Sequence, residues 1–111
     1  MIKTRLLLES LLFLLGRERG SVEIDELLKA IEKFLEESSE ELDESVLEAL
    51  NELRKEGMIE LNLPYVKISS EGLAEFTKTY ARELEEDRDL ALKMLLAAKL
   101  AQKAPRKNRV R

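Results

Sequence analysis

Residues 90–111 carry seven cations, Lys93, Lys99, Lys103, Arg106, Lys107, Arg109 and Arg111, and no acid, for a net charge of +7. Cations gathered in this way neutralise phosphates, so a flexible basic arm on DNA or RNA is the chemistry they suit. The basic tail holds no aromatic residue, which argues against stacking on single-stranded bases. Residues 21–60 are the opposite case, with four bases and fourteen acids, a net charge of −10. There Glu44, Glu48 and Glu52 recur every fourth residue, which on a helix lines them along one face. Such a face repels a polyanion and suits a basic protein, although solvated surface helices often look the same.

Other chemistries are excluded by composition. The chain has no Cys and no His, so it has no disulfide framework, Cys/His zinc site, Cys nucleophile or His-based triad. With 23 Asp and Glu, proximity of two carboxylates carries almost no information about acid–base catalysis. No EF-hand loop, P-loop, Gly-rich dinucleotide turn or Gly-x-Ser-x-Gly elbow is present. The expectation is a non-enzymatic protein with no cofactor and no metal.

The charged groups need a scaffold, and 111 residues with 44% apolar content suffice for one domain, or a small domain with an appendage. Abundant Glu, Lys and Arg with a single Gln and three Asn is the bias of thermophile proteins. The run Leu6–Leu15 superficially resembles a signal peptide. Glu9 interrupts it, no small-residue cleavage site follows, and it is too short to span a bilayer, so a cytoplasmic protein without membrane contact is expected.

Residues 2–16 read as a helix apolar nearly all round, one that must be covered on more than one side. Residues 23–36 form a second helix with Ile24, Leu27, Leu28, Ile31 and Leu35 on one stripe, and an acidic connector follows. A third helix is expected over 43–56. Asp43 is its N-cap, Leu42 staples onto Leu47, and Val46, Leu47, Leu50 and Leu53 form the buried stripe. Gly57 then stands where a left-handed cap is wanted. Residues 58–61 and 65–69 alternate as two short strands broken at Pro64. Ser69 or Ser70 caps a long last helix to about residue 103, with the charged patch 85–89 as a place to bend or break.

Three helices, a two-stranded hairpin and a further helix resemble the winged helix-turn-helix. The most telling residues are Leu47-Glu-Ala-Leu-Asn-Glu-Leu-Arg-Lys-Glu-Gly-Met-Ile-Glu-Leu, then Tyr65-Val-Lys-Ile-Ser-Ser-Glu-Gly-Leu. In winged-helix proteins the third helix commonly ends in such a Leu-x-x-Leu-x-x-x-Gly-x-Ile pattern, and the second wing strand runs into Ser/Thr-x-x-Gly. The long last helix is similar in architecture to that of PadR-type and MarR-type regulators. The resemblance implies a mainly α fold, with a winged-helix core over 1–69, a dimerisation helix over 70–104 and a basic tail over 105–111. A plain helical bundle with an incidental hairpin is the alternative.

The resemblance further implies a third helix that enters the DNA major groove. Its exposed positions, Glu44, Ser45, Glu48, Asn51, Glu52 and Lys55, fit that role poorly. Asn51 suits adenine, and Arg54 and Lys55 suit phosphate, but the three glutamates repel it. The expected function is therefore a dimeric DNA-binding transcriptional regulator whose electrostatics rest on Lys103, Arg106, Lys107, Arg109 and Arg111, aided by Arg17, Arg19, Asn51, Arg54, Lys55 and Lys67. The competing reading is an adaptor that docks a basic protein on its acidic helices, for instance a ribosome- or replication-complex-associated factor. For the homodimer, Leu92, Leu95, Leu96 and Leu100, with Leu6 and Phe13, are the expected interface. The alternative is that the last helix packs back on the first helix of its own chain, and both hold if the two build a shared core.

Overall fold

The computed structural model describes residues 1–17 and 19–103. Along the chain lie α1 (Thr4–Leu15), β1 (Val22–Glu23), α2 (Ile24–Ser38), α3 (Val46–Lys55), β2 (Ile59–Asn62) and β3 (Tyr65–Ile68). Then come α4 (Ser70–Glu75), a π turn (Phe76–Tyr80), α5 (Ala81–Glu86) and α6 (Arg88–Lys103). The architecture is mainly helical with a small antiparallel sheet of order β1-β3-β2. Among the described residues no helix is long and apolar enough to cross a membrane.

The leucine-rich α1 is the centre of the packing. Leu6, Leu7, Leu8, Leu11, Leu12 and Leu15 are all buried. A helix with apolar residues on every side is stable only if neighbours surround it. Here α2, α3, α6 and the π turn do so. The hydrophobic cluster runs from Ile2 to Ala101 without a division, so the last helix shares the core of the rest.

The third helix differs from expectation at its start. It begins at Val46, and its cap is Ser45, whose hydroxyl accepts from the Glu48 amide. Asp43 is taken elsewhere: its Oδ1 accepts from the Thr4 amide at 2.9 Å and the Thr4 hydroxyl at 3.1 Å. With the helix in this register, Ala49, Leu50 and Leu53 face the core and Leu47 is 77% exposed. The expected staple from Leu42 to Leu47 is therefore not formed. Leu42 instead forms a parallel bridge with Ile2.

β1 is a strand too short to leave a periodic signature, and it adds to the hairpin edge through Val22↔Val66 and Glu23↔Tyr65. β2 and β3 pair from Ile59↔Ile68 to Asn62↔Tyr65, leaving Leu63-Pro64, joined by a cis peptide, as the tip. Pro64 O accepts from the Ile24 amide at 2.8 Å, which ties the tip to the start of α2. Ser69 caps α4 by accepting from the Gly72 amide. Gly72 itself is required by a close approach, because a Cβ there would meet the Met58 carbonyl oxygen at 2.0 Å.

The expected long helix from residue 70 is interrupted twice. The Thr77 hydroxyl donates back to the Leu73 carbonyl (2.9 Å) within the π turn, a bond that competes with the helical ladder. At Asp87 the backbone leaves helical geometry (φ −120°, ψ 83°), and the Asp87 carboxylate accepts from the Leu90 amide. α6 therefore starts afresh and returns along α2 and α1, burying Met94, Ala97, Ala98 and Ala101. Alanines at these positions let the helices approach closely.

Candidate functional site

An open apolar groove of about 730 Å³ lies where α2, α3 and the hairpin tip meet. Ile24 and Leu28 form its α2 wall, Val46, Leu47 and Leu50 its α3 wall, and Leu61 and Leu63 its hairpin wall. Three of these side chains stand well into solvent: Leu28 at 43%, Leu47 at 77% and Leu63 at 71% exposure. The tie from Pro64 to Ile24 holds the hairpin wall at a set distance from α2.

Glu48 of α3 lines the groove; Glu52 follows one turn on, and Glu44 lies just before the helix. Burial pushes the Glu44 carboxyl above its usual range, and the like charges of Glu52, Asp43 and Glu48 push it further. The local potential is thus one that a cation would relieve. Thr4, by contrast, holds the Asp43 carboxyl below the usual range by donating to it.

The residues expected to contact DNA are scattered. Asn51 faces the groove, and its Oδ1 accepts from Arg54 at 3.0 Å. Lys55 and Lys67 are exposed on α3 and the hairpin. Arg17 and Arg19 lie instead beside the last turns of α6. With Leu14, Leu15, Leu95, Ala98, Lys99 and Gln102 they line a second depression of about 460 Å³. Arg19 is held there by Glu26 at 2.7 and 2.8 Å, and the Arg17 guanidinium stands 5.9 Å over the Phe13 ring. Lys103 ends α6, and Arg106, Lys107, Arg109 and Arg111 lie outside the described residues.

The residues expected at a dimer interface divide into two sets. Leu92, Leu96 and Leu100 form an exposed stripe on the outer face of α6, with Leu95 half-buried at its flank. Leu6 is not available to a partner, because its own chain buries it, and Phe13 stacks on Phe76 with ring centroids 4.9 Å apart. Leu6 is a correction that follows from its own chain enclosing that side of α1, while Phe13 stays half-buried.

One further cluster was not foreseen. Glu9 is fully buried on α1, and neither of its carboxyl oxygens has a hydrogen-bonding partner among the described residues. Burial pushes this carboxyl up to about 9. The Glu75 carboxyl adds to the rise and Arg5 opposes it. Arg5 is itself engaged by Glu56 through two bonds, at 2.6 and 3.1 Å. Only a chain position, a glutamate inside a leucine run, hinted at this in the sequence. Among the described residues no group of three or more acidic side chains is placed to hold a metal ion. No family model, no curated protein and no solved structure matches the chain.

Proposed function

We propose that this is a winged-helix-type protein that acts as a docking module, taking an amphipathic basic helix of a protein partner into the groove between α2, α3 and the hairpin. The observation that carries the reading is the groove itself, an apolar concavity lined by Glu48 on its α3 side, with Glu44 and Glu52 close enough to Glu48 to form one acidic group. Helix-in-groove recognition needs an apolar trough for anchors at i, i+3 or i+4, and i+7, with charges of opposite sign at the margin. The same face is a poor DNA reader, since a major-groove helix must bring cations to the phosphates and this one brings Glu48, Glu52 and an exposed leucine, with Glu44 just before it. The element order, the Ser69 cap with its close Gly72, and the left-handed Gly57 after α3 favour the winged-helix assignment.

A leucine–lysine amphipathic peptide, titrated by calorimetry at low salt, tests the reading. Binding that weakens with salt and is lost in Leu47→Glu is expected. No heat for the wild-type protein would remove this reading.

A second reading is favoured by the gathering of Arg17, Arg19 and Lys99 beside the root of the basic tail. On it, nucleic acid binds that end while the groove stays free for protein. The full chain, and a chain with Arg106, Lys107, Arg109 and Arg111 replaced by Ser, would be titrated with duplex DNA and structured RNA at several salt concentrations. A steep salt slope that the replacement flattens supports it, and equal affinity of the two chains refutes it.

A further inference from the structure

Among the described residues two apolar faces are left open, and they are opposite in form and charge. The groove is concave and belongs to the segment of net charge −10. The outer face of α6 is a convex ridge of Leu92, Leu96 and Leu100, one turn apart each, spanning about 12 Å of helix. It is flanked by Lys93 and Lys99 and belongs to the segment of net charge +7. The opposite side of the same helix, with Met94, Ala97, Ala98 and Ala101, is already buried in its own chain.

We propose that the leucine ridge of α6 in one copy seats in the groove of a second copy, with Lys93 and Lys99 against the glutamates of α3. This rests on the groove being the docking site argued above and names its occupant when no other partner is present. The α6 ridge has the two properties required of that occupant: leucines at helical spacing on an exposed face, and lysines beside them. The like-with-like pairings are poorer. Groove against groove sets acid beside acid and concavity against concavity. Ridge against ridge offers Lys99 little, since Asp89, the one acid in α6, already holds Lys93 at 3.1 Å. The Glu44 carboxyl is raised by desolvation first and then by its acidic neighbours Glu52, Asp43 and Glu48, and lysines arriving there would offset the like charges.

A ridge-to-groove contact is heterologous: each copy offers one ridge and one groove on different surfaces. Around a two-fold axis both contacts close into a dimer, and otherwise rings or open chains form. An external basic helix would compete for the groove and dissociate the assembly.

The test is a complementation of two variants, read as molar mass by light scattering at low salt. Leu47→Glu breaks the groove and leaves the ridge. Leu96→Glu breaks the ridge and leaves the groove. Both side chains are exposed, so both variants should keep the melting profile of the wild type, which calorimetry checks. The expected result is a wild type that assembles, two variants that are monomers, and an equimolar mixture that gives a one-to-one pair. Lys99→Glu should weaken the wild-type assembly several-fold and reduce its salt dependence. Assembly of Leu47→Glu alone would overturn the proposal in favour of ridge pairing, and a mixture that stays monomeric would overturn it as well. A monomeric wild type at every concentration would overturn it too. The peptide titration separates the two ideas: peptide binding by a monomeric wild type leaves the groove as a docking site and removes only the second copy as its occupant.

Discussion

Glu9 on α1 and Glu26 on α2 are both buried, and they meet the cost of burial differently. Glu26 keeps its charge company: Arg19 reaches both of its oxygens, at 2.7 and 2.8 Å, from a half-exposed position at the surface. Glu9 lies deeper, among leucines, where Arg5 is near but is occupied by Glu56. Its carboxyl responds by keeping its proton up to about pH 9. An acid removed from water needs either a cation with free donors or a proton, and what decides is the distance to the surface from which a cation can reach in.

The largest effect expected from this contrast is at Glu9. Its folded pKa is raised from an ordinary 4.5 to about 9, so its contribution is fully present below about 4.5 and is lost as pH climbs toward 9. The slope in that window is at most about 1.4 kcal/mol per pH unit. Glu9→Gln has no proton to lose and should stabilise the protein at pH 7 by roughly 2 kcal/mol, raising Tm by about 10 °C. Calorimetry of both proteins across pH 5 to 9 checks this, with the variant expected to be flat where the wild type declines. A variant less stable than the wild type at pH 7 would mean that Glu9 is ionised and held by Arg5.

Arg19→Ala comes next. It leaves Glu26 buried without its cation and should cost about 1 kcal/mol, less than for a fully buried pair because Arg19 is half-exposed. Denaturant unfolding measures it, and no change would mean that water reaches Glu26 as readily as Arg19 does. Tyr80→Phe should do least. The Tyr80 hydroxyl is pushed to a higher pKa by burial and then by Glu9, and no cause of the shift is a hydrogen bond to it among the described residues. A change within about 0.5 kcal/mol is expected in the same experiment.

Much of the fold can be traced to local signals. The apolar character of α1 on all sides states that it must be enclosed, and Ser69 and Gly57 mark a helix start and a helix end by chemistry that needs no distant partner. What escapes such reading depends on partners far along the chain. Asp43 and Ser45 are both good caps, and Ser45 prevails because Thr4 takes Asp43 from a distance of 39 residues. That choice turns Leu47 outward and so creates one wall of the groove. The acidic face of α3 is legible from the four-residue spacing of Glu48 and Glu52, with Glu44 falling just before the helix. The groove beside it is not, because it appears only when the hairpin tip is tied to α2 through Pro64. Likewise the leucines of α6 show that the helix has two uses, but which face is inward follows from the break at Asp87.

The return of α6 also sets an order of events during synthesis. α1 leaves the ribosome well before part of its cover, Met94 through Ala101. Until then the leucines of α1 have only α2, α3 and the π turn to hide against, so a nascent or prematurely stopped chain presents an adhesive surface. Contacts between distant parts of a chain form late and slowly, and the interval is when chaperones would be needed.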